Sequence, residues 1–381
     1  MHDLFFRGSR LVNIAAQARG GKPGKATFNI QGEDEYSMKP RSKSCFAEFR
    51  RFRRILLGVA ACQVGIASAH AFSRRPCDIF AAQTPCVAAY STTRALYHGY
   101  RGPLYQVMRQ SDEASINIGL LRDGYADASQ QNAFCTHTRC SIVKIYDQSP
   151  KHNDLIPAPP GGAARGPGPN GYDVPAKADA LPITVHGHPV YGIAVSPGVG
   201  YRNDAPVGTS IDGQPEGVYM VTSALHLNSK CCFDLGNAEI NNLDNDAGHM
   251  DAINIKCKGS PCRPIAGLDM ENGIYGRLPV AAGTSFVTDM GANDGQHSYA
   301  IYQGNAQNGG LTTTGVIPLP KRYQPMKQEG AIILGTGGDN SNWATGYFFE
   351  GVMTAGMPDA DTMKAVQRNI VDAEYAGHLK P

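Results

Sequence analysis

YFFEGVMT, residues 347–354, is the stretch from which the fold of this chain is read. In an extended backbone successive side chains point to opposite faces. Phe348, Glu350, Val352 and Thr354 therefore share one face, and Tyr347, Phe349, Gly351 and Met353 share the other. The same short extended reading applies to SIVKIYD (141–147), PVYGIAVS (189–196), GVYMVTSAL (217–225), SYAIYQG (298–304) and GAIILGT (330–336). Runs of this length, separated by Gly, Pro and Asn turns, predict an all-β chain folded as an antiparallel β-sandwich of the jelly-roll or concanavalin-like kind. One segment differs: TMKAVQRNIVDAEYA (362–376) places Met363, Val366, Ile370 and Ala373 on one stripe, which predicts a short C-terminal helix capped by Asp361. IPAPPGGAARGPGPNG (156–171) reads as a surface loop rather than a linker, because strand-like runs continue on both sides.

Composition agrees with many turns and few long helices. Gly 44 and Pro 25 are plentiful among 381 residues, while charged residues make up only 18%. A formal charge of +2 gives no reason to expect nucleic acid or an acidic membrane surface as partner. The chain is long enough to bury a sizeable core. No cofactor or metal motif stands out, and a monomer is expected.

The basic residues are unevenly placed. Arg50, Arg51, Arg53 and Arg54 precede the apolar run ILLGVAACQVGIASA (55–69), which ends in the small-x-small triplet Ala69-His70-Ala71. That order describes a secretory signal. As a membrane anchor the run is interrupted by Gln63 and falls short of the ~20 residues a spanning helix needs. Met38 is a natural start, so residues 1–37 are expected to be a disordered over-extension of the reading frame and residues 38–71 the signal, leaving 72–381 as the folded domain. Val59-Ala60-Ala61-Cys62 has the form of a lipoprotein cleavage site and is ranked below plain secretion.

Beyond the presequence, which holds Cys45 and Cys62, eight cysteines remain. They are Cys77, Cys86, Cys135, Cys140, Cys231, Cys232, Cys257 and Cys262, and they cluster locally. Their spacings are not those of a zinc site, and in an exported protein disulfides account for them better.

Two acidic loops are candidates for carrying chemistry: GLDMENG (267–273) and GTGGDNSN (335–342). Carboxylates from separate loops are the minimum equipment for breaking a glycosidic bond, one as nucleophile or base and the other as acid. The bland alternative is that both are solvated turn residues.

These loops belong to a longer series of stretches. It includes PCDIF (76–80), TPCVAAYSTTRALY (84–97), GPLYQV (102–107), IYDQS (145–149), APPGG (158–162), NGYD (170–173), SPGVGYRN (196–203), EGVYMV (216–221), CCFDLGNAE (231–239), GHM (248–250), LDMENG (268–273) and EGAIILGTGGDNSN (329–342). In content and order the series resembles the catalytic domain of the α-L-arabinofuranosidases of glycoside hydrolase family 54. The resemblance implies a retaining enzyme that removes terminal α-L-arabinofuranosyl residues from plant polysaccharides such as arabinoxylan and arabinan. It implies Glu271 as nucleophile and Asp339 as acid/base, with Asp269, Asn272, Gly273 and Gly338 on the sugar. It also implies the bridges Cys77–Cys86, Cys135–Cys140 and the vicinal Cys231–Cys232, the last forming an apolar floor under the sugar; Cys257–Cys262 lies outside the family pattern and is paired here by inference. Asp234 and Glu239 are read as hydrogen-bond anchors rather than catalytic groups.

Departures concern specificity. Between GHM and LDMENG stands the short DAINIKCKGSPCRPIAG, without tryptophan, and the single Trp343 instead follows the Asp339 loop. Family members often carry a C-terminal arabinose-binding domain, and this chain is expected to be the catalytic domain alone. The competing readings are a non-catalytic carbohydrate-binding sandwich and a xylanase- or galactofuranosidase-like retaining sandwich enzyme.

Overall fold

The computed structural model describes residues 74–380. The presequence expectations, including the start near Phe72, lie outside the described residues.

The strand Gly346–Ala355 is the spine of a larger antiparallel sheet. Glu216–Ser223 pairs along one edge; Cys86–Ser91 and His188–Val195 share the other, one above the next. Phe286–Asn293, Ser298–Asn305 and Asn308–Thr313 extend the sheet beyond Glu216–Ser223. A smaller sheet faces it, in the spatial order Ile274–Pro279, Arg263–Asp269, Asp251–Lys258, Asp234–Ala238, Ala331–Leu334, Tyr201–Asn203 and Ile156–Pro157. Ser115–Ile118, Tyr105–Arg109, Cys140–Ile145 and Ala176–Lys177 form a separate sheet. All the pairings are antiparallel, as a sandwich built from hairpins requires.

Side chains of the smaller sheet fit into glycine positions of the larger one. A Cβ on Gly351 would strike Leu235, one on Gly346 the Phe233 ring, and one on Gly291 Leu268 and Ile253. The core is therefore an interdigitation that leaves these positions no side chain of their own.

In the spine the predicted alternation is broken by a register slip where Val221 and Thr222 face Glu350 and Phe348. The slip returns Phe348 to the side of Gly351, whose Cβ would meet the Phe348 ring. Neither face is solvated, because the C-terminal helix and the segment following Cys86–Ser91 cover the outer one. Glu350 is tolerated there since Arg94 grips both of its oxygens, at 2.6 and 2.7 Å, while Tyr375 and Tyr219 donate to them at 2.6 and 3.2 Å.

Each of the six runs is a strand, displaced by a residue or two at its ends. The helix spans Ala360–Val371 and buries Met363, Val366 and Ile370 as expected. Its cap is Asp359, accepting from the Thr362 N–H at 2.8 Å, and not Asp361, which pairs with Lys364 on the exposed side. It ends five residues early. Glu374 takes φ 52°, and Tyr375–Ala376 pairs with the strand Leu181–Val185. Pro76–Phe80 and Ala128–Phe134 are additional helices too short to show a period in sequence. The structure joins Cys77 to Cys86, Cys135 to Cys140, Cys231 to Cys232 and Cys257 to Cys262. Among the described residues no helix is long and apolar enough to cross a membrane.

Candidate active site

Loops leaving the smaller sheet meet over its central strand, Asp234–Ala238. Cys231 and Cys232 enter that strand and Glu239 leaves it; the strand Arg263–Asp269 delivers Asp269 and Glu271; the strand Ala331–Leu334 runs into Gly335–Asn342, which carries Asp339. Together they wall a cavity of about 150 Å³. Its lining includes Glu271, Asp339, Asp269, Asn272, Gly338, Cys231 and Cys232. Gly273 is not on the wall; it sits against the Tyr275 ring. Trp343 is 44% exposed and stands outside the cavity, neither core residue nor wall.

Glu271 and Asn272 occupy a tight turn with φ values of 62° and 55°, a left-handed geometry uncommon for residues with a Cβ. Neighbours over-determine it. Asp269 accepts from the Glu271 N–H at 3.0 Å, Tyr323 donates its hydroxyl to the Glu271 carbonyl at 2.7 Å, and Arg322 reaches the Asn272 carbonyl at 2.9 Å. The Glu271 side chain is 6% exposed, and its Oε1 accepts from the Asn245 N–H at 2.9 Å. Burial, followed by hydrogen bonds to the Glu239 and Asp244 carboxyls, holds the Glu271 carboxyl well above the ordinary range. Asp244, bonded to Glu271, is held below its ordinary value, while burial raises Glu239. Burial also pushes Asp269 up to about 7.

Asp339 sits in a turn closed by its own side chain, which accepts from the Ser341 N–H at 3.0 Å and from the Ser341 hydroxyl. This turn is laced to the vicinal disulfide: the Cys232 N–H donates to the Ser341 carbonyl at 2.8 Å, and the Trp343 N–H to the Cys231 carbonyl at 2.9 Å. The Pro/Gly-rich loop touches it from the other side, with the Ala163 N–H donating to the Asp339 carbonyl at 3.0 Å. Gly161 lies so close that a Cβ there would strike the Asp339 backbone, which is why this segment of the loop is glycine. Cys232 Sγ and the Asp234 and Asp269 carboxylates lie within 4.8 Å of one another. Because Cys232 is bonded to Cys231, its sulfur is an apolar surface rather than a thiolate ligand.

Several wall and support residues were not read from sequence. Glu239, read as a hydrogen-bond anchor, also lines the cavity, and its Oε2 abuts Gly338. Asp244, Met250 and Ser341 also line the cavity. Arg202, fully buried, ties the two sides together by donating to the Gly338 carbonyl at 2.5 Å and to the Glu239 carbonyl. SPGVGYRN and CCFDLGNAE contain Arg202 and Glu239, but nothing in their spacing marks either as convergent. A second, larger cavity of about 870 Å³ lies elsewhere on the molecule and has no Asp or Glu in its wall.

Two carboxyl groups from separate loops on one cavity, with a third beside one of them, can supply both nucleophile and acid to a small ligand. Comparisons with known proteins agree with that chemistry. The family described as alpha-L-arabinofuranosidase B, catalytic, matches residues 76–376. An alpha-L-arabinofuranosidase of Hypocrea jecorina is 48% identical over 327 residues, covering 82% of this chain and 65% of the relative. Alpha-L-arabinofuranosidase B of Aspergillus niger is 46% identical over 343 residues, covering 86% of this chain and 66% of the relative. The crystal structure of an arabinofuranosidase complexed with arabinofuranosyl-α-1,2-xylobiose superposes with a TM-score of 0.76 at 44% identity, covering 79% of this chain and 66% of that one. A family 54 α-L-arabinofuranosidase soaked with a cyclic sulfate inhibitor gives a TM-score of 0.76 at 45% identity, covering 80% and 66%. The chain thus spans about two thirds of the length of the relatives it matches.

Proposed function

The chain belongs to the α-L-arabinofuranosidase B catalytic family, and from that premise we propose that it is itself a retaining α-L-arabinofuranosidase acting on terminal non-reducing arabinofuranosyl branches. The observation that carries this reading is the convergence of Glu271 and Asp339, from separate loops, on one cavity.

Turnover is a double displacement. The Glu271 carboxylate attacks the anomeric carbon while Asp339 passes its proton to the leaving oxygen, forming a glycosyl ester. Asp339 then takes a proton from water, which attacks the same carbon and frees the sugar and Glu271. Retention calls for the two carboxyls to stand about 5–5.5 Å apart when the sugar is bound. Attack needs Glu271 ionised, and the neighbouring Glu239 and Asp244 carboxyls, which with burial raise it, set the pH at which that happens. Asp269, Asn272 and the Gly338 backbone hold the hydroxyls, and the Cys231–Cys232 sulfurs form the apolar floor. The arabinosylated xylobiose in the solved relative supports arabinoxylan as a natural source of such branches. Four disulfides in the folded domain and the signal-like sequence before it support export.

A panel of nitrophenyl glycosides tests the assignment. Hydrolysis confined to the α-L-arabinofuranoside is expected, with retention seen by NMR at early times. Preference for a xyloside or galactofuranoside, or no hydrolysis at all, would contradict it.

A further inference from the structure

The hairpin that ends in the catalytic loop has a second end of opposite character. Its strands Asp251–Lys258 and Arg263–Asp269 pair so that Ala252 faces Asp269 at one end and Lys258 faces Arg263 at the other. Six residues of strand separate Arg263 from Asp269, roughly 20 Å. At the far end lies the cavity of about 870 Å³, bordered by Lys258, Arg263 and Arg277 and floored by Leu225, Ile265 and Val280. Segments 224–232, 255–268 and 274–288 contain Lys230, Lys256, Lys258, Arg263 and Arg277 and not one Asp or Glu. Among the described residues none of the three cations at the mouth is in an ion pair.

One strand face runs from one end to the other. Asn254, Lys256 and Lys258 share one face of their strand by its period of two, and Asn254 donates to Asp234 beside the catalytic cavity. On the flank, Asn228 accepts from the Cys257 N–H at 2.9 Å and donates to the Trp343 carbonyl at 3.0 Å, which sets the exposed tryptophan between the cavities. At about 0.1 M salt the screening length is about 10 Å, so the acidic and basic fields act separately.

We propose that this cationic cavity is a second, non-catalytic polysaccharide subsite that binds the carboxylates of uronic-acid residues, while the acidic cavity admits only the neutral arabinofuranosyl branch of the same polymer. The inference rests on the reading of the catalytic cavity given above. Carboxylate is the sugar-borne group that the mouth attracts and the catalytic wall repels, so the charge pattern orients an acidic polymer along the hairpin.

The test compares an arabinosylated, uronate-containing polysaccharide with the same polymer after reduction of its carboxyl groups. The intact polymer is expected to give a kcat/KM about tenfold higher, an advantage lost in about 0.5 M NaCl and in the K258A/R263A/R277A variant. Nitrophenyl α-L-arabinofuranoside kinetics should be unchanged by that variant. Separately, titration of the wild-type protein with trigalacturonate should show salt-sensitive binding that the variant lacks. Equal rates on the two polymers, or binding undiminished in the variant, would overturn the proposal. A wild-type protein that binds trigalacturonate but cleaves no arabinofuranoside would instead break the catalytic reading and leave the subsite standing.

Discussion

The catalytic cavity encloses about 150 Å³ and is walled by Glu239, Asp244, Asp269, Glu271 and Asp339, whereas the cavity at the other end of the same hairpin encloses about 870 Å³ and carries only cations. Size alone would select the second as the active site; the gathered carboxyls select the first. The small cavity gathers carboxyl groups out of water, where their charges cannot all coexist and protons must be shared. The larger one exposes its charges, Lys258, Arg263 and Arg277, to solvent on flexible side chains, where they can attract a ligand. On the roles proposed above, bond-breaking belongs to the first arrangement and holding to the second.

The sharpest way to break this contrast is Glu271→Gln. It removes the one ionisable oxygen placed for attack and changes volume little, so kcat on nitrophenyl α-L-arabinofuranoside should fall on the order of 10⁴-fold with the melting temperature nearly unchanged. A fall of less than about tenfold would move the nucleophile to Glu239 or Asp244.

Asp339→Asn separates acid from nucleophile. On arabinoxylan, whose leaving group needs a proton, kcat/KM should drop about 10²- to 10⁴-fold, and on an activated aryl arabinofuranoside far less. Equal losses on both substrates would remove the acid/base role from Asp339.

Glu239→Gln probes proton sharing itself. The group whose carboxyl is raised by burial and by Glu239 and Asp244 is Glu271, and only its ionised form attacks. Taking away one of the two like neighbours lowers the pH at which Glu271 ionises. The acidic limb of kcat/KM should therefore move to lower pH, by about one unit. A limb that stays in place would make Glu239 a packing residue. The smallest effect expected is that of K258A/R263A/R277A, confined to acidic polymers.

The two sheets were not equally legible in the sequence. The spine Gly346–Ala355, its neighbours Glu216–Ser223 and His188–Val195, and Ser298–Asn305 farther out were found, while Cys86–Ser91 and Phe286–Asn293 of the same sheet were not. Of the smaller sheet only Ala331–Leu334 was found. Asp234–Ala238, Asp251–Lys258 and Arg263–Asp269 carry Asp, Asn, Lys and Gly at strand positions because their outer face is the floor of the site, and that polarity hid them. Glu271, Asp339 and three of the four cysteine pairs were named from the resemblance to a family and not from spacing, while Cys257–Cys262 was paired by inference. Glu239 and Arg202 escaped because their roles depend on a loop that approaches from about a hundred residues away, at Gly338. The slip opposite Val221 and the early helix end are likewise set by pairing partners distant in sequence, Thr222 and Val185.

The central claim is that Glu271 forms the covalent bond to the sugar. Incubation with an arabinofuranose-configured electrophile that traps a glycosyl-enzyme, followed by proteolysis and mass spectrometry of the labelled peptide, reads this directly. The label is predicted on Glu271 and absent from the Glu271→Gln protein; a label on Glu239, Asp244 or Asp339, or an enzyme inactivated with no covalent adduct, would contradict the account.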